Sequence, residues 1–298
     1  MNMNMNTYPL WTAVITPLLE TGSVDFESLT TLVKQQEKAG NGLLILGSTA
    51  EALNLNLEMK KSIIEHVLKL KPTAPVMVGV GGHLLEECLE WVSYLNTLTL
   101  DAFLMVTPLY AKPGPIGQYQ WFKTLMDAVK KPVMLYNVPG RTGVALSTET
   151  VSRLSSHPNF WAIKEASGSL EKFKEYLKAA GGKAVFCGDD ALLPDFAKAG
   201  ASGLVSVASN AWPAETRLYV EQCLSQTFDA KELWTEASSS LFVASNPVPV
   251  KRLLFERKVI KTPKMALPLS HEDMLSAEPV LRAHAEVTRW FESQKVNP

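Results

Sequence analysis

Eight short runs rich in aliphatic and β-branched residues punctuate the chain at a steady interval. They are Thr12–Pro17, Gly42–Gly47, Pro75–Val80, Ala102–Val106, Pro132–Asn137, Trp161–Ala166, Ala184–Gly188 and Gly203–Val207. Their starts fall 19 to 33 residues apart, the length of a strand, a helix and two loops. Most are continuously apolar rather than alternating, as expected of parallel strands covered on both faces. Helix signals fill the gaps. Asp25 is placed to cap a helix whose apolar stripe is Phe26, Leu29, Leu32 and Val33, with Gly40 beyond its end. Similar stripes run through Ile63, Ile64, Val67 and Leu68, and through Tyr119, Phe122, Leu125, Met126 and Val129, while Ser147 and Ser169 are candidate N-caps. Eight such units predict an α/β fold of the (β/α)8 TIM-barrel type rather than an open doubly wound sheet. After about residue 225 the strand signals stop. A catalytic barrel is therefore expected over residues 1–225, with a helical C-terminal region over 226–298 broken near Asn246-Pro247 and Thr262-Pro263.

Composition narrows the partners. The formal net charge is −1, which gives no electrostatic reason to expect nucleic acid or an anionic membrane. The start, MNMNMNTYPLW, has neither a basic n-region nor an apolar h-region, and no apolar run is long enough to cross a bilayer. Cys88, Cys187 and Cys223 are odd in number and widely spaced, so they read as buried free thiols of a cytoplasmic protein. No phosphate-cradling glycine motif follows a strand; Gly79-Val80-Gly81-Gly82 is a weak lookalike. The five histidines are scattered without ligand spacing, so neither a metal nor a bound cofactor is expected.

In barrels of this type the catalytic groups collect at the carboxyl ends of the strands. There, the run Ile163-Lys164-Glu165-Ala166-Ser167 sets a lysine on an apolar strand. Burying an ammonium costs several kcal/mol unless it is paired, and burial favours the neutral amine that attacks carbonyl carbon. Alternation sends Ile163 and Glu165 to the opposite face, away from the catalytic side. The other strand ends carry Ser48 and Thr49, Thr107 to Tyr110, Tyr136 to Gly143, and Gly188-Asp189-Asp190. Each alone has a plainer reading. Lys164 snorkels or pairs, Ser48 and Thr49 cap a helix, Tyr136 fills core, Arg141 is solvated, and Asp189-Asp190 caps and pairs. Jointly, an amine, a phenol and a hydroxyl pair converging on one barrel mouth make the set that imine chemistry with a keto substrate requires. A guanidinium in the loop after the fifth strand suits a substrate carboxylate.

These segments resemble the dihydrodipicolinate synthase / N-acetylneuraminate lyase family of Schiff-base aldolases, from about Trp11 into the C-terminal region. The matching motifs are Gly47-Ser48-Thr49-x-Glu51, Val106-Thr107-Pro108-x-Tyr110, Tyr136-Asn137-Val138-Pro139-Gly140-Arg141-Thr142-Gly143, Ile163-Lys164-Glu165-Ala166, Gly188-Asp189-Asp190 and Asn246-Pro247-Val248-Pro249-Val250-Lys251. The resemblance implies that Lys164 forms the imine with pyruvate and Tyr136 is general acid and base. It implies a proton relay of Thr49, Tyr136 and Tyr110, the last reaching in from a neighbouring subunit of a homotetramer. Ser48 and Thr49 would hold the pyruvate carboxylate on their amides, Ser48 keeping a hydroxyl able to relay protons. Gly188 and Val205 would lie beside the substrate. Within the family Arg141 marks the synthase branch and implies L-aspartate 4-semialdehyde as the second substrate.

Some positions depart from the family. Ser48 stands where most synthases have threonine and is common among the lyases. Ala50 replaces a glycine, which matters if that glycine had positive φ. Ala52, Leu53, Leu57, Lys60, His83 and Leu109 stand where lysine-inhibited relatives carry a different, mostly polar set, and only Glu87 matches, so L-lysine is not expected to inhibit. Two other functions remain open: a pyruvate aldolase of the same family acting on a sugar acid, and a non-catalytic barrel that binds a keto acid.

Overall fold

The computed structural model describes residues 5–296, so the first four residues of the N-terminal stretch lie outside it. Eight parallel strands close on themselves in sequence order. They are β1 (Leu10–Ala13), β2 (Gly42–Ile45), β3 (Val76–Val80), β4 (Ala102–Val106), β5 (Val133–Asn137), β6 (Phe160–Glu165), β7 (Ala184–Cys187) and β8 (Leu204–Ser206). The last pairs with the first, Leu10 to Leu204 through Thr12 to Ser206. Helices in the intervening segments cover the outside, so the chain is a (β/α)8 TIM barrel.

Alternation sorts the apolar side chains into two layers. Trp11, Leu44, Met77, Leu104, Met134, Ala162, Phe186 and Val205 fill the barrel interior. Leu43, Ile45, Val78, Phe103, Leu135, Ile163 and Val185 face the helices. That two-sided burial is the reason the strands read as continuous apolar runs.

Strand boundaries differ where the chain leaves the ladder while still extended. The first strand is Leu10–Ala13, earlier than the run Thr12–Pro17 suggests. Beyond it, the Ile15 amide bonds the Asn210 side chain and the Thr16 hydroxyl bonds the Ala50 carbonyl. These residues are apolar because they are buried, and their polar groups are satisfied by loops. The second strand stops at Ile45 because Leu46 turns into left-handed backbone, φ 53°.

Asp25 caps the helix Phe26–Ala39 by accepting from the Ser28 amide, and Gly40 closes it with φ 74°. Ser169 caps Leu170–Ala179 in the same way. Ser147 precedes Thr148–Leu154 without a side-chain cap; its amide instead donates to Gln118 Oε1. Past β8 the chain is helical, including Lys231–Ser240, Val248–Glu256 and Glu278–Val296. Aromatic packing docks this extension on the barrel. Tyr219 of the outer helix Pro213–Ser225 stacks on Trp234 with centroids 4.2 Å apart, and Trp290 meets Trp234 edge-on at 5.3 Å. Cys88, Cys187 and Cys223 are buried and free, and burial pushes the first up to about 11 and the last to about 12.

Candidate active site

Tyr136 and Lys164 sit one residue before the ends of β5 and β6 and are register partners. Partners on adjacent parallel strands point the same way, so both side chains enter the barrel mouth. Lys164 is 4 % exposed. Its Nζ lies 4.3 Å from the centre of the Tyr136 ring, and among the described residues it enters no ion pair. The half-buried Asp189 carboxyl is pushed up by desolvation, with Lys164 as the opposing charge. Gly188 is fixed by its neighbours at the end of β6: a Cβ there would lie 2.7 Å from Ala166 Cβ, 2.9 Å from Lys164 Cε and 3.0 Å from the Glu165 carbonyl oxygen.

The outward neighbours lock that pair in place. Asn137 and Glu165 are fully buried between barrel and helices, and Asn137 Nδ2 donates to Glu165 Oε2 at 2.6 Å. Asn137 Oδ1 accepts from the Leu146 amide, and the other Glu165 oxygen accepts from the Ser167 amide and hydroxyl. Burial pushes the Glu165 carboxyl up against these bonds. A side-chain bond across β5 and β6 thus holds the strands in the register that pairs Tyr136 with Lys164. Asp190 is likewise a buried cap, accepting from the Ser206 hydroxyl and the amides of Val207 and Ala208.

The mouth opens into a groove of about 1550 Å³. Ser48, Tyr110, Tyr136 and Arg141 line it, whereas Thr49, Lys164, Gly188 and Val205 do not. Thr49 and Lys164 are both almost fully buried. Val205 is deeper still, in the interior of β8 beside Trp11. Ser48 and Thr49 begin a single 3₁₀ turn, Ser48–Ala50. Their amides donate to no backbone acceptor among the described residues, as the first N–H groups of a helical turn do. Ala50 needs no positive φ; the left-handed residues are Leu46 and Glu51, on either side of the turn. Arg141 lies in the short helix Pro139–Thr142 directly after β5, and its Nη2 donates to the Asn246 carbonyl at 3.1 Å.

Tyr110 is the outlier. It is 94 % exposed, with φ 65°, and its phenol has no hydrogen-bond partner among the described residues. Within one chain it does not join Tyr136. Three buried residues attach themselves to the site without an assigned role. Asn246 Nδ2 donates to the Thr49 hydroxyl at 2.9 Å, and Glu51 pairs with Lys251. Their sequence positions stand in the motifs quoted above, but contacts spanning about 200 residues leave no local signature. Among the described residues no cluster of three or more His, Cys, Asp or Glu is spaced to hold a metal ion, and no helix is long and apolar enough to cross a membrane.

A closed (β/α)8 barrel with a buried lysine against a tyrosine at its carboxyl mouth, the lysine entering no ion pair among the described residues, defines the class of fold and site. Residues 7–283 match the model of the dihydrodipicolinate synthetase family, and the chain belongs to that family. The 4-hydroxy-tetrahydrodipicolinate synthase of Wolbachia pipientis subsp. Culex pipiens (strain wPip) is 44% identical, over 95% of this chain and 97% of its own. The structure of the chloride-inhibited dihydrodipicolinate synthase from Acinetobacter baumannii complexed with pyruvate superposes with TM-score 0.89 at 33% identity, covering 94% of this chain and 99% of that one. The enzyme from Cyanidioschyzon merolae with lysine bound gives TM-score 0.88 at 29% identity, covering 95% and 99%.

Proposed function

We propose that this protein condenses pyruvate with L-aspartate 4-semialdehyde to 4-hydroxy-tetrahydrodipicolinate, the step that leads toward diaminopimelate and lysine, in the cytoplasm and without an added cofactor. The observation that carries this is the pair at the mouth: Lys164, buried and free of any ion pair among the described residues, against the face of Tyr136. The Lys164 amine adds to C2 of pyruvate, and the carbinolamine loses water as Tyr136 supplies a proton. Loss of a C3 proton gives the enamine, whose C3 forms a bond to the aldehyde carbon while the aldehyde oxygen takes up a proton. The substrate amine then attacks C2, closing the ring and freeing Lys164. The Ser48 and Thr49 amides hold the pyruvate carboxylate, and Ser48, lining the groove, adds its hydroxyl to the relay. Arg141, at the groove wall, holds the carboxylate of the semialdehyde. Gly188 leaves room for the Lys164 stem, and Val205 closes the floor beneath.

Tyr110 completes the Thr49–Tyr136–Tyr110 relay in a second copy of the chain, in a homotetramer built from two dimers. Its near-complete exposure supports this, since the phenol has nothing to serve within its own chain. Tyr110→Phe should lower kcat by about 10²-fold while pyruvate still forms the imine; unchanged turnover would remove Tyr110 from the relay. Purified protein should consume pyruvate with the semialdehyde in strong preference to N-acetylmannosamine. Arg141→Ala should raise the semialdehyde KM by about 10- to 100-fold, the worth of a charged hydrogen-bonded pair. Preference for the sugar would move the assignment to another aldolase of the family. Binding of pyruvate with no turnover would leave a keto-acid-binding barrel.

The same groove extends past Ala52, Leu53, Leu57, His83, Glu87 and Leu109. Lys60 already places an ammonium there, 5.8 Å from the Trp91 ring, where burial pushes its pKa down despite the Glu87 charge. A second ammonium would meet like charge and mostly apolar walls. L-Lysine should therefore leave activity unchanged at millimolar concentration. A submillimolar inhibition constant would contradict this.

A further inference from the structure

The described residues bury two of the chain's lysines below one-tenth exposure, and the mechanism above uses one of them. The other, Lys251, lies in the helix Val248–Glu256 of the C-terminal region, where an amphipathic reading would turn it to solvent. It is 0% exposed and paired at 2.5 Å with Glu51, also 0% exposed. Lys251 Nζ further donates to the Lys264 carbonyl at 2.8 Å, and the second Glu51 oxygen accepts from the Ala266 amide at 2.7 Å. Burial pushes the Lys251 ammonium downward, opposed by the Glu51 charge.

We infer that Glu51 and Lys251 are a positioning pair for the substrate carboxylate subsite. They hold the Ser48–Ala50 turn so that the first two amides of that turn point at the groove. This inference rests on the carboxylate-binding role proposed above for Ser48 and Thr49.

Three observations meet at this turn. It is only three residues long, and both flanks, Leu46 and Glu51, are left-handed, a conformation that L side chains adopt at a cost and keep only when neighbours enforce it. Enforcement comes from the C-terminal region at two points. Glu51 is gripped by Lys251 and Ala266, and the Thr49 hydroxyl accepts from Asn246. Because that hydroxyl oxygen accepts from Asn246, its own proton is left to donate elsewhere. From the barrel side, the Thr16 hydroxyl bonds the Ala50 carbonyl at 2.9 Å. The same Asn246 receives Arg141 on its carbonyl. The C-terminal region therefore grips the turn at Thr49 and at Glu51, and the Glu51–Lys251 pair, which does not touch Arg141, is the buried anchor of the turn.

A pair that merely stabilised the fold would predict something different. Glu51→Gln with Lys251→Met removes both charges without leaving either unpaired, so the barrel remains folded. On the positioning reading, amide hydrogen exchange over residues 47–55 quickens by about tenfold while exchange in the strands is unchanged. The pyruvate concentration that half-saturates borohydride-trapped imine on Lys164 rises by roughly tenfold or more. The semialdehyde KM stays within about twofold, and Lys251→Arg, which keeps the charge, lies closer to the parent in both readouts. Unchanged exchange, or faster exchange with an unchanged pyruvate dependence, would overturn the inference. Absence of any trapped imine in the parent protein would instead count against the proposed function, and the exchange readout would then decide the role of the pair alone.

Discussion

Lys164→Ala abolishes turnover, by a factor on the order of 10⁴ or more, because the step it removes has no substitute donor in the site. Lys60, Lys61 and Lys112 also line the groove, but among the described residues Lys164 is the lysine set against the Tyr136 ring. Lys251, the second buried lysine, is committed to Glu51 and the Lys264 carbonyl. Borohydride reduction in the presence of pyruvate should fix one adduct on the parent chain and none on the variant, and peptide mapping should place it at Lys164. Stability is a second readout. Lys164 makes no ion pair among the described residues, so its removal strands no buried counter-charge. The variant should remain folded, with a cooperative melt near the parent's. An adduct persisting in Lys164→Ala, or mapping to Lys251, would remove Lys164 as the imine former.

That contrast between two buried lysines shows how far the sequence can be read. Lys164 announces itself because it interrupts an apolar run, and a strand buried on both faces has no solvent-facing side to explain a charge. The barrel is legible for the same reason: two-sided burial writes each strand as a compact apolar word, repeated eight times. The errors fall where burial and ladder membership part company. Ile15 and Thr16 belong to the same buried run, yet the Ile15 amide bonds the Asn210 side chain and the Thr16 hydroxyl the Ala50 carbonyl, while the Val14 amide still bonds the Leu44 carbonyl of β2. Lys251 is silent because a lysine on a helix normally faces water, and only the fold brings Glu51 to it across 200 residues. Glu165 lies between these cases. Alternation turns it away from the face that carries Lys164, but its bond to Asn137 emerges only when β5 and β6 pair.

Lys251→Met destabilises the protein by about 3–5 kcal/mol, the usual cost of stripping one partner from a fully buried pair. The Glu51 carboxylate is left at 0% exposure with the Ala266 amide as its remaining hydrogen-bond donor. It must then stay charged without a counter-ion, take up a proton, or open the turn to water. For a chain of this size the thermal midpoint should fall by roughly 5–8 °C. Glu51→Gln strands the ammonium instead and should cost a comparable amount, softened by the Lys264 carbonyl that still accepts from it. Combining the two changes should leave the double variant less destabilised than either single one, since neither charge remains to be solvated, so the losses fall far short of additivity in a double-mutant cycle. Thermal or urea unfolding of the three variants beside the parent supplies the cycle. Additive losses would mean that the two side chains act independently, and that the pairing across the barrel and its C-terminal region contributes nothing of its own.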